Sequence, residues 1–222
     1  MRSMIKIAFT GIDGAGKTTH AKLLDKFLKE EGIPSKYVHL LAPNFGIERW
    51  IESKLSNKML YKENNMLLGA TPKKLTKLLT IFGLLFLLRG IYQTWIKIVK
   101  NKHYSVIIFD RYAYDDFVRT AWKYKYPLKV LVKLIMLIPK PDVIFYLTLP
   151  AEEAWKREKE GYTTLKQHMD KKNYYDKFFS ELRKTRKVIQ IDVKEKSVEE
   201  TQREIRRFVT NYEDLYNCSK SR

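Results

Sequence analysis

The chain has 222 residues, 45% of them hydrophobic, and a formal net charge of +18. It is too apolar for a disordered chain and long enough to bury one sizeable core, so a single domain over residues 1–222 is expected. Its one cysteine, Cys218, excludes a disulfide framework, argues against a cysteine-based zinc site and fits a reducing, cytoplasmic setting.

Ile5 to Phe9 is an apolar strand that runs into glycines. From Lys17 the period changes: Ala21, Leu24 and Leu28 form a helical stripe, closed by Gly32 and Pro34. Tyr37 to Leu41 reads as a second strand, and Glu48 to Leu55 as a short helix. A helix is expected from Pro72 to Arg89, continuing from Ile91 to Lys100 after a bend at Gly90. Its apolar stretch, Leu78 to Leu88, is far shorter than the ~20 residues that cross a bilayer. Val106 to Phe109 is a continuous apolar run ending in Asp110, as suits a parallel strand buried on both faces. Helices follow at Asp115 to Tyr124 and Leu128 to Ile138, then a strand at Val143 to Leu147 and a helix at Ala151 to Glu160. Residues 159–172 are polar, basic and the best candidate for a mobile segment. Tyr174 to Lys187 is helical, with Tyr174, Tyr175, Phe178 and Phe179 on one packed face, and Val188 to Ile191 is a fifth strand. Ser197 with Glu200 is a capping box ahead of a last helix reaching Tyr216. Five short strands separated by helices imply an α/β fold: a five-stranded, mostly parallel sheet with helices on both faces.

Gly11-Ile12-Asp13-Gly14-Ala15-Gly16-Lys17-Thr18 matches G-x-x-x-x-G-K-[ST] in the required context of strand, loop and helix. The glycines let backbone N–H groups surround phosphate oxygens, Lys17 reaches the outer phosphates, and the Thr18 hydroxyl suits Mg²⁺. Asp110, at the end of an apolar strand, is the matching acidic support on the metal or substrate side. Lys and Arg are spread along the whole chain, so the charge reads as solvated faces plus a phosphate-binding cleft, not as a dedicated nucleic-acid surface. Asn101-Lys102-His103-Tyr104 lacks the Asp of an N-K-x-D motif, which argues against a GTPase switch. The four histidines have no metal-ligand spacing, and Trp50, Trp95, Trp122 and Trp155 read as core or interface residues.

Phe9 to Thr19 resembles the opening of thymidylate kinases, in the nucleoside-monophosphate kinase group. Asp110-Arg111-Tyr112 is similar to their D-R-Y motif, and Pro141 to Leu147 with Ala154-Trp155-Lys156-Arg157 to their P-D-x-x-x-x-L and A-x-x-R segments. Ile191-Asp192 before Ser197 resembles their last strand and adenine-side loop. The resemblance implies transfer of the γ-phosphoryl of ATP to a nucleoside monophosphate, dTMP above all, with Mg²⁺ and often in a homodimer. It implies an ATP loop of Gly11, Asp13, Gly14, Ala15, Gly16, Lys17, Thr18 and Thr19. Asp13 would also hold the acceptor's 3′-hydroxyl, Arg111 would clamp its phosphate, and Asp110 would support metal or water. Arg89, Tyr112 and Asp115 would line the acceptor pocket. Arg157 would lie against adenine or the phosphates, and Asp192 would belong to the adenine-side loop.

The sequence departs from that family in places. Thr10 stands where Glu is common, Ala42-Pro43-Asn44 replaces E-P-G, and Leu85 replaces a Phe four residues before Arg89. Asp115 and Asp116 stand where the family usually has small hydroxyl residues. Where some thymidylate kinases carry an Arg in the phosphate loop, this chain has Gly14, so the cation is expected from Lys156, Arg157, Lys159 or Lys166, in a lid over residues 156–172. Two other readings are kept. One is a kinase of a deoxynucleoside or other small acceptor, against which Asp110-Arg111-Tyr112 speaks. The other is a non-catalytic nucleotide-binding module at a nucleic-acid or membrane surface.

Overall fold

A computed structural model of the chain describes residues 4–40, 73–124, 135–158 and 164–211, without the side chains of 73–83, 85, 86, 123 and 124. The elements are β1 (Ile5–Thr10), α1 (Lys17–Glu30), β2 (Ser35–His39), α2 (Lys73–Lys100), β3 (Val106–Asp110) and α3 (Ala113–Tyr124). After a 3-10 turn (Ile135–Leu137) come β4 (Val143–Thr148), α4 (Ala151–Arg157), α5 (Leu165–Leu182), β5 (Val188–Asp192) and α6 (Val198–Thr210). All strand pairs are parallel, in the order β2-β3-β1-β4-β5. The chain turns back across the sheet at β1, and crossovers of this kind gather the ends of β1 and β3 into a crevice where ligands bind.

The interior strands follow from their composition. Every residue of β3 and β4 is buried, as a run without alternation requires when helices cover both faces. The edge strands β2 and β5 mix buried and exposed residues. On one face α1 buries Ala21, Leu24 and Leu28, and α6 crosses it with Arg206 4.5 Å from the centre of the Phe27 ring. On the other face Tyr146 stacks on Phe179 of α5 at 4.5 Å, and Tyr175, Phe178 and Phe179 are buried together.

Several boundaries differ from the sequence expectation. β2 starts two residues earlier, at Ser35, and α3 at Ala113. α2 runs through Gly90 as one helix, and the Thr94 hydroxyl donates to the Gly90 carbonyl at 2.8 Å. Gly90 serves a close approach instead, since a Cβ there would lie 3.3 Å from Asp116 Oδ2 of α3. α4 ends at Arg157, not at residue 160. The polar stretch read as mobile to residue 172 is helical from Leu165 onward, because Thr164 and Gln167 form a reciprocal capping box. The helices expected at 48–55 and over most of 128–138, the Ala42–Asn44 replacement, Lys159, and the last residues of the C-terminal helix lie outside the described residues.

α2 is apolar nearly all round, the pattern of a helix buried on every side. Yet Leu84, Leu88, Tyr92, Trp95 and Val99 form an exposed stripe along it, Tyr92 at 62% and Trp95 at 50% exposure. No helix among the described residues is long and apolar enough to cross a membrane.

Candidate active site

The phosphate loop joins β1 to α1. Gly11, Gly14 and Gly16 all have positive φ, at 144°, 83° and 81°. Two of them also face backbone: a Cβ on Gly11 would collide with the Leu147 carbonyl, and one on Gly14 with the Ala154 carbonyl of α4. No side chain, and so no arginine, fits at residue 14. Gly16 is the N-cap of α1 and no side chain caps that helix, so its first N–H groups stay free for an anion. Ala15 is buried in the loop, and Thr19 is exposed on the first turn of α1.

Four charged groups converge at the loop. The Arg111 guanidinium pairs with Asp13 Oδ1, Lys171 Nζ lies 2.5 Å from Asp13 Oδ2, and Lys17 Nζ lies 3.8 Å from Asp13 Oδ1. Lys17 also donates to the Ile12 carbonyl at 2.6 Å. Burial alone would raise the Asp13 carboxyl, but Lys171, Lys17 and Arg111 hold it well below the usual range. Burial, then Arg111, brings Lys17 down to about 8. Arg111 sits at the end of β3 with φ 67°, the one non-glycine residue with positive φ among those described, and its N–H donates to the Phe9 carbonyl at 3.0 Å. Such a conformation costs about 1–3 kcal/mol and persists where the surroundings impose it.

Asp110 closes the other side. It is fully buried, and its Oδ2 accepts from Thr18 Oγ1 at 2.7 Å, Tyr37 OH at 2.7 Å and His39 Nδ1 at 2.8 Å. Its Oδ1 is buried with no hydrogen-bond partner. Thr18 spends its only proton on Asp110, leaving its lone pairs free. A bare carboxylate oxygen beside a hydroxyl with free lone pairs suits a hard cation such as Mg²⁺, which takes few protein oxygens and completes its shell with water and phosphate. The residues therefore fit the metal implied by the loop.

Other expected site residues divide. Asp115 is buried and caps the start of α3: Oδ2 accepts from the Tyr112 N–H at 2.9 Å, and Oδ1 from Tyr175 OH at 3.0 Å. Tyr112 is buried, with its hydroxyl donating to the Pro139 carbonyl at 2.6 Å, so its ring packs rather than binds. Asp116 pairs with Arg119 at 3.0 Å, and burial lifts its carboxyl to about 6 against the opposing charges of Arg119 and Arg89. Arg157 stands outside the cluster, half-exposed and 3.9 Å from Glu153, although its helix packs on Gly14. Asp192 ends β5 and borders a groove of about 460 Å³ with Thr148, Pro150 and Lys172.

Sequence reasoning missed Lys171, His168, Tyr37 and His39. Lys171 and His168 lie one turn apart on α5 and are both buried, and Lys171 Nζ sits 5.9 Å from the Trp122 ring centre. Neither ring nitrogen of His168 has a hydrogen-bond partner, while Glu158 Oε2 lies 3.4 Å from its Nδ1. The Thr164–Gln167 capping box was the available signal that these two lysine and histidine side chains belong to a helix. For Tyr37 and His39 the signal was alternation on β2, which puts both on one face, with His39 in register with Asp110.

The geometry can be set beside known proteins. A family model described as thymidylate kinase matches residues 9–205. The chain is 28% identical to a probable thymidylate kinase of Methanocaldococcus jannaschii, over 92% of this chain and 95% of that one. It is 25% identical to a thymidylate kinase of Plasmodium falciparum, over 78% and 74%. Among solved structures, a thymidylate kinase from Candida albicans superposes with a TM-score of 0.66 at 20% identity, covering 96% of this chain and 93% of that one. A deoxyadenosine kinase from M. mycoides superposes at 0.61 and 17% identity, covering 93% and 100%. These two likenesses speak for the fold alone. The family match runs from the strand that carries the phosphate loop, through the Asp110–Arg111 turn, to the last helix, and on that ground the chain belongs to the thymidylate kinase family.

Proposed function

We propose that the chain transfers the γ-phosphoryl of ATP to a nucleoside monophosphate, with dTMP the foremost acceptor. The observation that carries this reading is Arg111. A half-buried guanidinium at the neighbouring strand end, held against the phosphate loop by Asp13, gives a second anion a place facing ATP. A nucleoside acceptor carries no phosphate for it to hold.

In the reaction an acceptor phosphate oxygen attacks the γ-phosphorus. The bond to the β–γ bridging oxygen breaks, and ADP leaves. Little covalent work falls to the protein, so catalysis is positioning and charge cancellation. The loop N–H groups and Lys17 hold the donor phosphates, and Arg111 holds the acceptor phosphate. Asp110 and Thr18 would hold Mg²⁺, which would neutralise charge on the donor phosphates. Because Gly14 leaves no room for a cation in the loop, Lys171, which pairs with Asp13, would serve as the further cation in preference to Arg157, whose partner is Glu153. Asp13 keeps Lys171 and Arg111 in position and accepts from the acceptor sugar.

The exposed α2 stripe supports a homodimer built on this helix, since a two-fold axis would let the same apolar patch cover itself. A solution mass measurement that gives a monomer at micromolar concentration contradicts that part.

An acceptor screen by ATP consumption tests the main reading. dTMP is expected to be turned over and thymidine not. Turnover of thymidine with Arg111→Met unaffected would favour the nucleoside kinase. No turnover of any common nucleoside monophosphate overturns the reading.

A further inference from the structure

We propose that Tyr37 and His39 are positioning residues for the metal side of the site: together they pin one oxygen of Asp110 so that the other is presented bare to the cation. This rests on the phosphotransfer reading above. It concerns two residues of an edge strand that the loop motif does not include.

The two side chains reach Asp110 from one face of β2. Parallel pairing sets His39 directly opposite Asp110 and Tyr37 opposite Ile108, so residues two apart on the strand converge on one carboxylate. Both contacts go to the same atom, Oδ2, at 2.7 and 2.8 Å, and Thr18 Oγ1 joins them at 2.7 Å. A carboxylate can only accept, so His39 Nδ1 carries the proton. Three donors on one oxygen leave a carboxylate a single orientation about its terminal torsion. With Tyr37 and His39 gone, Thr18 alone would hold it, and the carboxylate would be free to swing.

The partition between the oxygens is the telling feature. A buried carboxylate ordinarily spreads its partners over both oxygens, because a bare buried acceptor is costly. Here Oδ1 has none. The arrangement makes physical sense when Oδ1 faces a cation or a water held by one. Outer hydrogen bonds that orient a metal-binding group typically change metal affinity by about 10- to 100-fold when lost.

The test measures Mn²⁺ binding to the full chain with ADP present, by the electron paramagnetic resonance signal of free Mn²⁺. The variants are Tyr37→Phe, His39→Leu, His39→Asn and the pair Y37F/H39L. The pair is expected to weaken Mn²⁺ binding about 10-fold or more, and Y37F alone about 3-fold. His39→Asn places an amide N–H near the Nδ1 position and is expected to keep most of the affinity that His39→Leu loses. The Mg²⁺ concentration for half-maximal rate should rise in parallel, with KM for dTMP unmoved. A folded Y37F/H39L that binds Mn²⁺ within about 2-fold of wild type overturns the proposal. So does His39→Asn binding as weakly as His39→Leu. Should the pair fail to fold, Y37F decides, since it removes only the hydroxyl, and unchanged affinity there also overturns it. A wild-type chain that binds Mn²⁺ with ADP yet phosphorylates no nucleoside monophosphate sinks the kinase reading. The titration still decides the positioning role.

Discussion

Asp13 and Asp110 flank the same loop and are treated in opposite ways. Asp13 meets cations: Arg111, Lys171 and Lys17. Asp110 meets two hydroxyls and an imidazole: Thr18, Tyr37 and His39. Both carboxyls lie below their usual range, although burial pushes each of them up. The causes differ, and so do the consequences. Around Asp13 the cations outnumber the carboxylate and leave positive charge for phosphate. Around Asp110 stand two hydroxyls and one imidazole, with no lysine or arginine in hydrogen-bond contact, so the carboxylate keeps charge for a cation. On the proposed reading, one half of the site serves polyanions and the other the metal that accompanies them.

The comparison can be broken first at its cationic half. Lys17→Ala should lower kcat/KM for ATP by about 10³-fold or more, because the loop motif assigns the outer phosphates to this lysine. Lys171→Met should lower kcat about 10²-fold while both KM values stay nearly constant, the mark of a group that acts in the transition state. Lys171→Arg should restore part of the loss. Loss confined to KM in steady-state kinetics would make Lys171 a binding group only.

A finer test uses the proton on Lys17. Its ammonium titrates near about 8 in the free loop, lowered by burial first and by Arg111 next. Phosphates bound beside it favour the charged form and raise that value. ATP binding at pH 8 should therefore take up part of a proton, and binding at pH 6 should take up none at this group. Calorimetric titration in two buffers of different ionisation heat reads the uptake directly. No uptake at pH 8 would mean that Lys17 is already fully charged.

The smallest effect lies just outside both carboxylates. Asp116 is raised to about 6 from 3.8, chiefly by burial. A carboxyl raised in the native state favours folding while it is protonated in both states, and that contribution is lost as pH climbs through 6. Asp116→Asn should remove the decline between pH 4 and pH 6. It should leave the protein about 1–2 kcal/mol more stable at pH 7, with the lost Arg119 pair offsetting part of the gain. Urea unfolding at the two pH values checks this.

The two halves were unequally visible in the sequence. The glycines, Lys17 and Thr18 are contiguous, and the buried runs of β3 and β4 advertise themselves by lacking alternation, so the sheet and the loop could be read directly. Asp110 and Arg111 followed from their place at a strand end. Lys171 could not be read this way, because it reaches Asp13 across 158 residues of chain. Its segment also looked like a basic loop until the Thr164 cap revealed a helix. Tyr37 and His39 were hidden for another reason. On an edge strand a polar residue usually faces water, and only the pairing of β2 with β3 turns these two onto Asp110. Gly90 looked like a break because glycine weakens helices, whereas the approach of Asp116 is what requires it.

The central claim is that one loop holds two phosphorylated ligands end to end. Adenosine and thymidine bridged by five phosphates span both positions, so calorimetric titration with that compound tests it most directly. One molecule per chain is predicted, bound at least about 10²-fold more tightly than ATP and losing most of that advantage in Arg111→Met. Binding no tighter than ATP, or untouched by Arg111→Met, would contradict it.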